Sequence, residues 1–294
     1  MKSPFANPQL VLSAFLLALA NTTASAAPVD SVREVRPVQE QHWSFRPVSK
    51  HEGRHTLDSF IDAKLAENGL RRSSPAAPAT WLRRVTLDLT GLPPTPEAVA
   101  EFHRNPDSAA AVERLLASPR YGERWAQHWL DVIRWAETVG FETNKERQNA
   151  WPYRDWVIAS LNADKPYDQF LFEQIAGDSV GEDAALGFLV AGPANLSGQV
   201  GRDEAAMRGA RQDELDEVIR TVGQAFFGLT IGCARCHDHK FDPILERDYY
   251  SLQAVFAGLS YGSRRWRGSE NDDWTSRLPA VREKVSSLRA KLET

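Results

Sequence analysis

Residues 121–138 read YGERWAQHWLDVIRWAET and carry the strongest helical pattern of the chain. Apolar residues recur in this stretch at helical spacings, which predicts one apolar stripe formed by Trp125, Trp129, Val132, Ile133 and Ala136. A second row of side chains, spaced by four, three and four residues, falls on a neighbouring face and includes His128. The pattern predicts an aromatic helix at the centre of the fold.

Further helices are predicted on both sides of this stretch. Upstream, Gly69 and the turn at Gly91 are predicted to end helices. The pair Thr95-Pro96 is typical of a helix N-cap followed by the first helical residue, so it is predicted to begin one. The predicted segments are 57–65, 81–89, 95–102, 109–119, 151–162, 167–176, 213–229 and 249–259. Residues 178–205 contain several glycines and are predicted to form a surface loop. Few segments alternate with a period of two, so the predicted fold class is mainly α: an irregular multi-helix domain with long loops.

The composition excludes some classes of protein. The 294 residues suffice for one large domain or two small ones, and 42% hydrophobic with 25% charged residues is typical of a globular protein. A formal net charge of -4 gives no basic bias, so nucleic acid is not expected as a partner. Most of the nine tryptophans lie between Trp81 and Trp156, which favours an aromatic core over an aromatic binding surface.

The N-terminus is typical of a processed export signal. Lys2 precedes an apolar stretch from Leu10 to Ala20, and Ala24-Ser25-Ala26 supplies a cleavage site. We therefore expect residues 1–26 to be a signal peptide, with an uncleaved anchor as the alternative, and the protein to be exported to the periplasm or cell envelope. No later apolar run predicts a membrane helix. Residues 27–55 are predicted to be an extended leader, followed by a helical domain over 56–260.

The C-terminal residues 261–294 are predicted to be a linker and the start of a heptad-patterned helix. Apolar residues recur three and four apart at Leu278, Val281, Val285, Leu288 and Leu292, which covers about two heptads. This stretch, 278–292, is a candidate for helix-mediated association. The pattern stops at Thr294 without a capping residue, which suggests a truncated chain, with a frayed natural end as the alternative.

The only two cysteines of the chain lie in the sequence Cys233-Ala-Arg-Cys236-His237. This C-x-x-C-H spacing is that of covalent c-type haem attachment. Each thiol can form a thioether to one haem vinyl group, and His237 can bind the iron as the proximal ligand. A predicted export signal agrees with this interpretation. Gly232, just before the motif, is interpreted as a small residue that lets the backbone approach the ring.

The distal iron ligand is less determined by the sequence. No methionine follows the motif, and Met207 is the only internal one. His128 is the best distal candidate, and a histidine hydrogen-bonded to a neighbour such as Asp131 is the competing interpretation. His239 is too close to His237 along the chain to reach the opposite face of one ring. Without a sixth ligand, the iron would have an open position suited to small ligands or peroxide.

Two other interpretations of the Cys/His cluster remain open, and so does the role of a nearby acidic patch. Cys233, Cys236, His237 and His239 could instead hold zinc or another divalent metal, because zinc accepts Cys and His ligands. The two cysteines could form a disulfide, although so small a loop constrains the chain little. The acidic patch from Asp213 to Glu217 is either a solvated face or an anchor, because Asp213, Asp216 and Arg220 share one helix side.

Long runs of the sequence resemble one family. They are WLRRVTLDLTGLPPTPEAV, YGERWAQHWLDVIRWAET, WPYRDWVIASLN, PYDQFLFEQIAGD and AFFGLTIGCARCHDHKFDPI, and the resemblance extends from about His42 to Leu259. The family is the second cytochrome-like domain, of unknown function, of exported planctomycete-type proteins. Such proteins commonly carry a small cytochrome c-like domain before this one and another domain of unknown function after it.

The resemblance implies haem attachment at Cys233, Cys236 and His237 but no established reaction. We expect an electron-transfer or redox role, with a redox partner protein or a fused cytochrome domain. The alternative is an exported enzyme or carbohydrate-binding module with a non-haem metal at the Cys/His cluster. No nucleophile-elbow, phosphate-loop or H-E-x-x-H motif is present, so the sequence leaves catalytic residues unassigned and does not decide whether the protein is an enzyme.

Overall fold

The computed structural model describes residues 43–48, 56–140, 145–193, 200–201, 203–262, 280 and 282–287. This described part is mainly α-helical and contains no β-strand, which confirms the predicted fold class. The predicted signal peptide lies outside it, as does most of the predicted leader. Of the five heptad positions, only Val285 is described, in a helical stretch over 282–287 with an exposed side chain.

The chain builds the domain from α-helices joined by turns and short tight helices. The α-helices are α1 (Leu57–Glu67), α2 (Pro78–Thr90), α3 (Pro96–Arg104), α4 (Ser108–Leu116), α5 (Pro119–Val132), α6 (Trp151–Asn162), α7 (Tyr167–Ala176), α8 (Glu204–Val222) and α9 (Glu246–Phe256). Shorter 3-10 helices cover Trp43–Phe45, Gly177–Ser179, Asp183–Val190 and Ile231–Arg235, and a π-helical turn covers Gly223–Phe227. None of the described helices is both long and apolar enough to cross a membrane.

Local sequence signals set several helix ends where they were predicted. Helix α3 begins with Pro96, and the Thr95 hydroxyl accepts a hydrogen bond from the Ala98 amide at 3.2 Å. Helix α2 ends at Gly91, whose φ of 72° lies in the left-handed region that glycine adopts without strain. These ends depend on neighbouring residues alone, which is why the sequence predicts them well.

The face through which the central helix α5 packs agrees only in part with the predicted stripe, because Trp129 and Ile133 belong to the core. Its buried residues are Gly122, Ala126 and Leu130, followed by Ile133 just beyond the helix. Small residues dominate this face because α6 approaches closely: a Cβ on Gly122 would lie 2.6 Å from the side chain of Asn162. The predicted stripe is therefore wrong at two positions, since Trp125 and Val132 are 40% and 49% exposed.

Helix α5 also ends earlier than predicted, at Val132 rather than near residue 138. Arg134 adopts a φ of 58°, which interrupts the helical path. The amide of Val139 then donates to the carbonyl of Lys145 at 2.8 Å, so the chain turns back on itself before α6. A local strain of this kind leaves no periodic signature in a sequence.

The main core lies between α5, α6, α7, α8, α9 and the 3-10 helices Asp183–Val190 and Ile231–Arg235, and it contains an aromatic cluster. Trp129 lies edge-on to Phe170 and stacked near Phe226, and Phe188 stacks on Phe226 with ring centroids 4.7 Å apart. Within the predicted surface loop over 178–205, Phe188 is only 2% exposed. That prediction is wrong for the 3-10 helix Asp183–Val190, because its apolar side chains pack against α6 and α7.

A smaller cluster joins α2, α3 and α4, where Trp81 stacks on Phe102 with ring centroids 5.2 Å apart.

The C-terminal part positions the motif. Helix α8 continues into the π-helical turn Gly223–Phe227, then into the 3-10 helix Ile231–Arg235, and α9 returns across α8. The C-x-x-C-H motif thus lies where these three elements meet.

Candidate functional site

The two cysteines lie at the end of the 3-10 helix Ile231–Arg235. Both are exposed and neither is bonded to the other, so the described structure has no disulfide between them. Cys233 lies within this helix and Cys236 directly follows it. The motif therefore presents two free thiols on the surface.

The two residues between the cysteines anchor the motif inward. Ala234 is fully buried in the main core. The Arg235 guanidinium reaches back to α8, with Nη2 3.0 Å from Asp213 Oδ1 and Nη1 3.3 Å from Asp216 Oδ2. The Tyr250 hydroxyl donates to the carbonyl of Arg235 at 3.0 Å. Because these residues face the protein, their neighbours Cys233 and Cys236 are directed outward.

Asp216 is the centre of the polar network beneath the motif. It is 7% exposed, and its Oδ1 accepts a hydrogen bond from the Tyr249 hydroxyl at 2.6 Å. Its Oδ2 accepts one from Arg220 Nε at 2.6 Å and also faces Arg235. A buried carboxylate is stable only when it is paired in this way. The interpretation of Asp213, Asp216 and Arg220 as an anchor is confirmed, and the anchored segment is the motif itself.

The same network shifts the pKa values of its members. The hydrogen bond from Arg220 to Asp216 is the largest effect on that guanidinium and raises its pKa. Burial, followed by the hydrogen bond to Asp216, raises the pKa of Tyr249 above its ordinary value. At neutral pH Tyr249 is therefore a hydrogen-bond donor, and Asp216 is held between a phenol and two guanidinium groups.

Gly232 has a packing role within the protein. It is buried, and a Cβ at this position would lie 2.6 Å from Arg220 Cζ and 2.7 Å from Arg220 Cγ. The Arg220 Nη2 group also lies 3.5 Å from the carbonyl oxygen of Gly232. The missing side chain thus makes room for an arginine from α8, and the role expected of Gly232 beside a haem ring stays a prediction.

His237 is exposed and has a defined ring orientation. Its Nδ1 lies 2.9 Å from the backbone carbonyl oxygen of Asp238. A carbonyl oxygen only accepts, so Nδ1 carries the proton in this contact and the lone pair of the neutral ring is on Nε2. Fixing one ring nitrogen to a carbonyl is the usual way in which a protein prepares the other as a metal ligand.

His239 is held as part of the fold. It is 8% exposed, and its Nδ1 accepts hydrogen bonds from the amides of Phe241 at 3.3 Å and Asp242 at 2.8 Å. Its Nε2 therefore carries the proton and donates to Thr230 Oγ1 at 2.9 Å. Both nitrogens of the alternative metal ligand are occupied in this arrangement, which closes the loop after the motif.

His128, the predicted distal ligand, lies on the central helix α5. It is exposed on α5, with its ring edge-on to Trp125 and the ring centroids 5.4 Å apart. Helix α5 packs mainly against α6 and α2 rather than against the segment 231–235. The motif keeps Cys233, Cys236 and His237 within five residues of one another, and the assignment of His128 as the distal ligand stays a prediction.

No group of three or more His, Cys, Asp or Glu side chains in the described ranges is placed to hold a metal ion. Cys233, Cys236 and His237 point to solvent, while His239 is turned into the fold. This geometry gives no support to the zinc alternative.

Sequence reasoning missed three residues that hold the site: Arg235, Tyr249 and Tyr250. The only sequence signal for the role of Arg235 is its position as a charged residue directly before Cys236. The two tyrosines lie on α9, and no local pattern shows that α9 crosses α8 beside the motif.

The fold and site define a mainly α-helical protein that displays a C-x-x-C-H motif on its surface, anchored by a buried aspartate. A family model described as "PSCyt2: Protein of unknown function (DUF1549)" matches residues 56–261. The match covers most of the chain, and the chain belongs to this family. Comparisons with curated proteins and with solved structures gave no match.

Proposed function

We propose that this chain is an exported c-type haem-binding protein with an electron-transfer or redox role within a larger multidomain protein. Cys233 and Cys236 would hold the porphyrin through thioether bonds, and His237 would bind the iron from the proximal side. The observation that carries the proposal is the combined state of these three side chains. Both thiols are unbonded and exposed, and the exposed imidazole that follows them contacts the Asp238 carbonyl through Nδ1.

The donor set of the motif fits a haem group. Thioether formation needs reduced, accessible thiols, and both cysteines are free and exposed. A proximal histidine binds iron through an unprotonated nitrogen, and with the Nδ1 proton on the Asp238 carbonyl this nitrogen would be Nε2 of the neutral ring. When bound, the haem would supply one-electron chemistry at its iron.

The residues around the motif have definable tasks in such a site. Each thiol would add across one vinyl group, with the sulfur bonding to one vinyl carbon and the thiol proton going to the other carbon of the same group. The addition needs no external oxidant. The burial of Ala234 and the ion pair of Arg235 with Asp216 hold the backbone between the two cysteines in place. The Asp238 carbonyl holds the proton on His237 Nδ1 and so orients the ring.

The decisive experiment is a visible spectrum of the full chain expressed in cells with the c-type maturation machinery. We expect a Soret band that persists after acid-acetone extraction, because thioether bonds survive this treatment. In Cys233→Ala the covalently held fraction should fall sharply. A colourless preparation from cells that load a control cytochrome c would refute the proposal.

Histidine variants test the ligand assignment. His237→Ala should keep a covalent chromophore and change its spectrum, because the sulfurs remain while the proximal nitrogen is lost. His103→Ala is the matched control, since His103 is an exposed histidine on α3. His128→Ala decides the distal assignment: a changed spectrum would support ligation by His128, and an unchanged one would exclude it.

The remaining parts of the proposal concern location and partners. Export to the periplasm or cell envelope fits a c-type site, and cell fractionation tests it. A redox partner protein or a fused cytochrome domain would exchange electrons with the haem, and residues 278–292 would provide helix-mediated association. Elemental analysis of the same preparation distinguishes this proposal from a non-haem metal site, which would give zinc or another divalent metal without colour.

A further inference from the structure

We infer that Tyr249 is a redox-active residue, which gives one electron to an oxidant held at the motif while its phenol proton passes to the Asp216 carboxylate. The inference deepens the proposed function, on which its biological meaning rests, because it assigns a protein group that exchanges electrons with the haem site. Its physical content concerns these two side chains alone, so it can be tested on the haem-free chain.

The phenol of Tyr249 has a proton acceptor already in place. The side chain is fully buried, and its hydroxyl donates a hydrogen bond to Asp216 Oδ1 at 2.6 Å. This contact is within the reach that proton transfer between two side chains requires. Burial, followed by the hydrogen bond to Asp216, raises the pKa of Tyr249, so the phenol carries its proton at neutral pH. A phenol shielded from solvent must release its proton to a protein group, and here its hydrogen-bond partner is a carboxylate.

Oxidation of a phenol and loss of its proton occur together. A phenol that has lost an electron is a far stronger acid than the neutral phenol, so its proton passes to a carboxylate in hydrogen-bond contact. Asp216 can take this proton even though Arg220 and Arg235 stabilise its charged form. In the balanced step the oxidant gains one electron, the O–H bond of Tyr249 breaks, an O–H bond forms on Asp216, and a neutral tyrosyl radical remains. Return of one electron reverses the proton transfer.

A short chain of contacts connects Tyr249 to the motif. Asp216 Oδ2 lies 3.3 Å from Arg235 Nη1, and Arg235 directly precedes Cys236. Along this path, one arginine and one carboxylate separate the phenol from a group bound to the Cys236 sulfur. In the proposed function the oxidant would be a haem group oxidised by peroxide, and in the test it is a ruthenium polypyridyl complex.

Tyr250, the next residue of α9, provides a matched comparison. The two tyrosine rings lie edge to face, with their centroids 5.1 Å apart. Tyr250 is 45% exposed, and its hydroxyl donates to the backbone carbonyl of Arg235 at 3.0 Å. A carbonyl oxygen is far too weak a base to take the phenol proton. Oxidation of Tyr250 therefore depends on water or buffer as the base, whereas oxidation of Tyr249 does not.

The test uses the full chain made without haem and carrying Cys233→Ser, so that the exposed Cys236 alone is labelled with the ruthenium complex. A light flash excites the label, and a cobalt ammine complex in solution accepts its electron irreversibly, which leaves the oxidised label as the one-electron oxidant. Transient absorption and electron paramagnetic resonance then detect the radical that forms. We expect a tyrosyl radical that is lost in Tyr249→Phe and kept in Tyr250→Phe.

The proton acceptor is tested separately. In Asp216→Asn the amide oxygen can still accept the hydrogen bond but not the proton, so the radical yield should fall several-fold in a chain that circular dichroism shows to be folded. Without that substitution, radical formation should be slower in heavy water and independent of buffer concentration, a readout that needs no further variant.

The outcomes separate the inference from the proposed function. Absence of a tyrosyl radical in the folded labelled chain, an unchanged yield in Tyr249→Phe, or a rate that rises with buffer concentration would overturn the inference. A chain that forms this radical but stays colourless in cells that load a control cytochrome c would refute haem attachment and leave the inference standing.

Discussion

The substitution Gly232→Ala tests the packing under the motif with a single methyl group. The added Cβ would lie 2.6 Å from Arg220 Cζ, 2.7 Å from Cγ and 2.8 Å from Nε. Arg220 cannot move away freely, because its Nε is held by Asp216 at 2.6 Å. We expect a loss of about 1–3 kcal/mol in the free energy of unfolding, the usual cost of overpacking a filled site.

A double-mutant cycle in urea unfolding measures whether Arg220 is the cause. In an Arg220→Ala background the obstacle is absent, so Gly232→Ala should cost less than about 0.5 kcal/mol. The coupling energy between the two positions should then be about 0.5–3 kcal/mol. If the two substitutions add within about 0.5 kcal/mol, the clash with Arg220 is not the reason for glycine at this position.

Gly209→Ala is the matched control for this cycle. Gly209 lies on the same helix, α8, and an ideal Cβ there meets no atom within 4 Å. Alanine should therefore stabilise the protein by about 0.5–1 kcal/mol, since it loses less backbone entropy than glycine on folding. A similar loss at Gly209 and Gly232 would indicate a general effect of the substitution and refute the packing argument.

Two further predictions concern the core and the pH dependence of stability. Ile133→Ala should lower the free energy of unfolding in urea by about 2–5 kcal/mol, because Ile133 is fully buried. Val132→Ala should change it by no more than about 0.5 kcal/mol, because Val132 is exposed. Similar losses at both positions would refute the assignment of the buried face of α5. Burial raises the pKa of Glu217 above its ordinary value near 4.5, against the opposing effect of Arg134. The stability that this group contributes is complete below the ordinary pKa and is lost as the pH rises through the folded value. Glu217→Gln should therefore flatten the decline in urea midpoint as the pH rises above the ordinary pKa of glutamate, and an unchanged decline would contradict this assignment.

The anchor beneath the motif explains how a surface site can keep a fixed geometry. Asp216 joins Arg220 on its own helix to Tyr249 on α9 and Arg235 within the motif. These contacts tie three chain segments to one carboxylate. Removing the carboxylate would leave two guanidinium groups and a phenol without their common partner, so stability and motif geometry are expected to change together.

The sequence alone determined the features that depend on neighbours along the chain. The boundaries of α6 and α7, the cap at Thr95 and the stop at Gly91 follow from local backbone chemistry, so their residues predict them. The C-x-x-C-H spacing is also local, and so is the common helix side of Asp213, Asp216 and Arg220. The family membership follows from the sequence in the same way.

Only the tertiary structure decided which surfaces meet. Helical periodicity allows several faces for α5, and the close approach of α6 selected the one with Gly122 and Ala126 over the one with Trp125. The burial of Phe188 and the position of Tyr249 beside Asp216 also arise from contacts between distant segments. Such contacts depend on the shapes of both partners, and a one-dimensional pattern contains only one partner at a time. For the same reason, the sequence could propose Gly232 as a small residue but could not name Arg220 as what fills the space.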